Sequence, residues 1–176
     1  MNYSAARKKI QSGDLLAWSH RGLGSWYDFK IQMVRAVTQS EYCHVGIAWQ
    51  IGGRLFVLEA VLTGVRIFPL SRMLPFYWCG VPVTWASEVE DWALRQVGEP
   101  YSQWQAIKAA LGLLRVGDDN IWQCAEYAQE VLRRGGVNLP GLATPAALVT
   151  AAMKAGSPVW AVEADVPSQP QRREPQ

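Results

Sequence analysis

Two adjacent glycines, Gly52-Gly53, separate two runs rich in β-branched and aromatic residues, Cys43 to Trp49 and Leu55 to Val61. Glycines in that setting supply the backbone angles of a tight hairpin turn, so the two runs read as antiparallel neighbours. A third run, Gly64 to Leu70, alternates like another strand. Its Pro69 marks an edge, because proline has no N–H to give a ladder. A meander of this kind fixes a register. With Gly52 and Gly53 at the centre of the turn, His44 stands opposite Val61. Glu59 then falls on the face of His44, diagonal to it and within reach of a long side chain. A slip of one residue would turn Glu59 to the other face and leave it a half-exposed strand glutamate.

The rest of the chain supplies further strands and several helices. Leu15 to Trp18, behind Gly13-Asp14, reads as a short buried strand, and Val81 to Trp85 and Pro158 to Val162 read as others. Residues 1–12 read as a polar, basic lead-in. Apolar residues recur at helical spacing in Ser25 to Thr38, Glu88 to Val97 and Ser102 to Leu114. The clearest helix is Ile121 to Arg134, where Ile121, Cys124, Ala125, Ala128, Val131 and Leu132 form one stripe and Gly135-Gly136 ends it. Thr144-Pro145 has the form of an N-cap followed by proline at the first helical position, opening a helix to about Lys154. The expected fold is α+β, one domain over residues 1–164. Residues 165–176, with Pro167, Pro170 and Pro175, are expected to be a flexible Pro/Gln-rich tail.

Composition removes several function classes. With 49% hydrophobic and 18% charged residues in 176, the chain can pack a core. Lys and Arg number 17 against 15 Asp and Glu, a net charge of +2 that gives no basic footprint for nucleic acid. No segment has the roughly 20 predominantly apolar residues that a membrane-spanning helix needs. The opening MNYSAARKKIQSGDLLAW has basic residues with no apolar h-region behind them, so the expectation is synthesis in the cytoplasm without a secretory signal. Three cysteines and two histidines, scattered singly, make neither a disulfide framework nor a zinc motif; no metal and no cofactor is expected. Gly22-Leu-Gly24 lacks the third glycine of a dinucleotide fingerprint. Nine tryptophans read first as core and rim packing.

Three residues could carry chemistry. Asn120 as an N-cap, with Gln123 at the third helical position, would set Cys124 at the end of a first helical turn, where the helix dipole favours a thiolate. Asp118 and Asp119 nearby would oppose this, and Cys124 reads equally as a small buried residue of an apolar stripe. His44, near the start of a strand, is either a base held by its sheet neighbours or a structural histidine. Glu59, a carboxylate in an apolar strand, is expensive to bury unless paired. Cys43 points away from His44 because successive strand residues face opposite sides. Cys79 has no evident partner, His20 is a reserve base, and Asp14 reads as a turn or cap residue.

The order of short segments resembles the circularly permuted branch of the NlpC-type, papain-like cysteine hydrolases, which includes YiiX/YaeF-like proteins and relatives of lecithin–retinol acyltransferase. The matching pieces are Ser12-Gly-Asp-Leu-Leu16, Tyr42-Cys-His-Val-Gly-Ile47, Phe56-Val-Leu-Glu-Ala60 with Gly64-Val65, Gly98-Glu-Pro-Tyr101, Trp122-Gln-Cys-Ala-Glu126 and Ala143-Thr-Pro-Ala146. The histidine strand precedes the cysteine helix, as in that branch. The resemblance implies a papain-like fold of the permuted type, an antiparallel sheet packed on helices with the nucleophile at a helix N-terminus. It implies Cys124 as nucleophile, His44 as general base, Glu59 as the residue orienting the imidazole, and Tyr101 beside the substrate or oxyanion site. Cys43 replaces the serine of the usual Ser-His-Val-Gly run. The implied activity is an amidase or peptidase on peptidoglycan peptides, with a phage particle or secretion system as the partner that would carry it to the wall. A lipid ester hydrolase or acyltransferase with the same triad, and a catalytically silent phage structural or binding module, are the alternatives.

Overall fold

The computed structural model describes residues 1–19, 42–61, 63–98, 119–141 and 143–165, with only the backbone described at 119–123. The expected helices at Ser25–Thr38 and Ser102–Leu114, with His20, Tyr101 and the tail beyond residue 165, lie outside the described residues.

The described strands are β1 (Leu15–Trp18), β2 (His44–Ile51), β3 (Arg54–Val61), β4 (Gly64–Pro69), β5 (Phe76–Cys79) and β6 (Val159–Val162). They form one antiparallel sheet in the order β4-β3-β2-β1-β5-β6. The described helices are α1 (Tyr3–Ala6), α2 (Ser87–Arg95), α3 (Asp119–Arg134) and α4 (Pro145–Lys154). The fold is therefore α+β. The hairpin at Gly52-Gly53 pairs Ile51 with Arg54 and Ile47 with Leu58. Both glycines have positive φ, 56° and 72°, as such a turn demands. Pro69 closes β4 at the sheet edge, where its missing N–H costs no ladder bond.

Alternation along the strands divides the core. One face carries Leu15, Ala17, Val45, Ile47, Leu58 and Ala60 and meets Ala125, Ala128, Val131 and Leu132 of α3. Fully burying a side chain of valine or leucine size contributes roughly 1.5–3 kcal/mol, so this stripe is what fastens α3 to the sheet. The other face carries Leu16, Ala48, Val57, Phe76 and Trp78 and is covered by Tyr3, Ala6 and Ile10. Residues 1–12 are thus more than a polar lead-in: Asn2 caps α1 by accepting from the Ala5 N–H, and its apolar side chains close the second core.

Val81 to Trp85 is not a strand. The Val83 N–H turns back to the Val81 carbonyl at 2.8 Å and the Thr84 N–H goes to Gly135 at 2.9 Å, so no ladder can form there. A side chain at Gly135 would put its Cβ 2.5 Å from Val83 Cγ1, which explains a glycine just past α3. The strand instead is Phe76–Cys79, between β1 and β6. Helix α3 already runs at Asp119, two residues ahead of the expected Ile121, so Asn120 lies inside it rather than capping it.

Candidate functional site

Glu59 lies in the middle of three strands with no solvent exposure. Gly46 on β2 is what leaves room for it. A Cβ there would stand 2.5 Å from Val57 Cγ2 and 3.3 Å from Glu59 Cβ. Both carboxylate oxygens are engaged. Oε2 lies 2.5 Å from His44 Nε2, and Oε1 accepts from Arg66 through Nε at 2.8 Å and Nη2 at 2.7 Å. Arg66 reaches it because β4 returns beside β3 with Glu59 directly opposite Arg66. Burial pushes the Glu59 carboxyl up, but the charges and hydrogen bonds of His44 and Arg66 win and hold it below its ordinary value.

His44 opens β2, opposite Trp18 of β1, and its ring packs 5.4 Å from the Trp18 ring. Its side chain keeps 23% exposure, which Glu59 lacks. Nε2 is committed to Glu59, which leaves Nδ1 for the second partner, the hydrogen-bonded Cys124 side chain. Burial alone would lower the imidazole, but the Cys124 and Glu59 interactions outweigh it and raise His44 to about 10. An imidazole in this position is held as a cation between two acidic partners.

Cys124 is buried within α3, sixth from Asp119, and so stands in the second turn. This corrects the sequence expectation of a first-turn thiol, and the dipole argument weakens with it because the effect fades beyond the first turn. What acts on Cys124 is His44. The thiol belongs to the core under α3, whereas His44 and Glu59 point to the opposite sheet face. His44 is the first residue of its strand, and Cys124 acts on its ring.

The remaining expectations sort clearly. Cys43 Sγ donates to the Trp18 carbonyl at 3.4 Å. The thiol of Cys79 is pushed up to about 12 by burial and by Asp14, which leaves it inert. Asp14 does more than shape a turn: it accepts from Trp78 Nε1 at 2.7 Å, the Gln11 N–H at 2.9 Å and the Val81 N–H at 3.2 Å. Several tryptophans serve packing, as expected: Trp49 and Trp85 both donate to Glu90, and Trp78 stacks on Trp160. Arg66 escaped the sequence reading. Counting back across the turn between Val61 and Gly64 would have found it.

Among the described residues, no group of three His, Cys, Asp or Glu side chains could hold a metal ion. No helix of the described residues is long and apolar enough to cross a membrane. No family model matches the sequence, and no curated protein does. A solved structure does: the metalloprotein yiiX from Escherichia coli O157:H7 is 20% identical, with a TM-score of 0.52, over 76% of this chain and 71% of that one. The chain thus has an α+β fold similar to that of yiiX.

Proposed function

We propose that this chain is a cysteine hydrolase of the circularly permuted, papain-like NlpC type, cleaving an amide bond in peptidoglycan peptides. The observation that supports the reading is the His44–Glu59 bond on a ring that Cys124 also acts on. These three are the nucleophile, base and orienting group that thiol acyl transfer requires. His44, a cation at rest, carries the proton drawn from the thiol. The sulfur attacks the carbonyl carbon, forming a C–S bond, and the tetrahedral intermediate expels the amine, which leaves with the proton held by His44. Water, deprotonated by His44, then breaks the thioester and restores the thiol. Glu59 keeps the ring oriented and its cation stabilised throughout.

The likeness to a protein described as a metalloprotein raises the question of a metal here. The described residues do not fit one. Both Glu59 oxygens are taken, and a cation at this carboxylate would face the Arg66 guanidinium.

Purified peptidoglycan fragments test the proposal. Wild type and Cys43→Ala should release new amine ends, and Cys124→Ala should fall to background. Undiminished cleavage by Cys124→Ala would remove the nucleophile. Cleavage of lipid esters with peptidoglycan untouched would move the substrate to the lipid class. A Cys124 that ignores active-site-directed electrophiles would leave a binding module.

A further inference from the structure

Resting on the triad proposed above, we infer that Arg66 is a positioning residue for it, holding Glu59 so that the carboxylate presents Oε2 to His44. The carboxylate is divided between two cations: Arg66 takes only Oε1, through both Nε and Nη2, and His44 takes only Oε2. Two guanidinium nitrogens converging on one oxygen pin that atom in a way one point charge does not. Arg66 is itself fixed. Its place opposite Glu59 is set by the β3–β4 ladder, and its Cζ lies 4.7 Å above the Phe68 ring. Arg66 is 45% exposed while Glu59 is fully buried. The pair therefore differs from an ordinary surface bridge: the guanidinium compensates a carboxylate that water does not reach.

The described groups acting on Glu59 are His44 from β2 and Arg66 from β4, and those acting on His44 are Cys124 from α3 and Glu59 from β3. Loss of Arg66 leaves Glu59 buried with a single cation, so the carboxyl protonates more readily and its hold on the ring loosens.

Two NMR readouts test this on the full chain, neither requiring a substrate. One is the 13C titration midpoint of the Glu59 carboxyl. The other is the downfield proton resonance of His44 Nε2–H, which reports the bond to Glu59. In Arg66→Gln the midpoint should rise by about one pH unit or more, since an adjacent opposite charge typically moves a carboxyl by 1–3 units. The Nε2–H resonance should shift upfield or broaden away. Arg66→Lys should return most of the midpoint and less of the proton resonance, because it restores charge without the two-nitrogen grip. If Arg66→Gln lowers only the melting temperature, or moves the midpoint with the Nε2–H resonance unchanged, the inference is overturned. Inert peptidoglycan would sink the hydrolase reading and leave these two readouts to decide the role of Arg66 separately.

Discussion

The sheet buries two carboxylates, Asp14 and Glu59, and their surroundings drive them in opposite directions. Asp14 accepts from three neutral donors, an indole N–H and two backbone N–H groups, and burial dominates, raising its pKa. Glu59 is as deeply buried but faces an imidazole and a guanidinium, and its pKa falls. Burial is therefore no sign of function by itself. A carboxylate among neutral donors ties segments together; one between cations stays ionised. Asp14 joins the Gln11 turn, β5 and the chain after it, whereas Glu59 joins β3 to one mobile-proton group and one fixed cation.

Substitutions can break this contrast. Glu59→Gln should have the largest effect, lowering turnover roughly 10²- to 10⁴-fold, the range in which acid–base groups and their orientation contribute. Steady-state kinetics on the proposed peptidoglycan substrate checks it, and an unchanged rate would make Glu59 structural like Asp14. Asp14→Ala should instead cost stability, about 3 kcal/mol, since an orphaned buried donor costs about 1–3 kcal/mol and three would lose their acceptor. Denaturant melts should show that loss while the folded fraction still labels at Cys124. Loss of labelling per folded molecule would mean that Asp14 also serves the site.

The two carboxylates also differ in sign on the acid side. Stability from Glu59 is present above its ordinary pKa and is lost as pH falls through its lowered folded value. Stability from Asp14 is fully present below its ordinary pKa and is lost as pH rises through its raised one. Glu59→Gln should thus flatten the acid limb of the stability profile.

Much of this was legible beforehand because hairpin register follows from turn position alone. Gly52-Gly53 set β2 against β3 and put Glu59 on the face of His44. The same arithmetic at the Val61–Gly64 turn pairs Glu59 with Arg66. The N-cap at Thr144 was legible because its side chain closes on the Ala147 N–H locally. β5 was not. Phe76–Cys79 has no polar alternation to mark a strand, being buried or half-buried throughout, while Val81 to Trp85 alternates yet is held in an irregular path by Gly135. Nor could the sequence show that Cys124 and His44 arrive from opposite sides of the sheet. That depends on how α3 packs on the sheet, a tertiary fact with no local signal.

The central claim is that Cys124, His44 and Glu59 form one coupled proton system. An 15N NMR titration of the His44 ring in wild type and Cys124→Ala measures it most directly. In wild type the ring should stay protonated until the pH approaches about 10, with the associated stability intact below the ordinary 6.5 and lost as pH rises through the folded value. Cys124→Ala should titrate lower. A ring that titrates near 6.5 in both proteins would contradict the account, because His44 would then share a proton with neither neighbour.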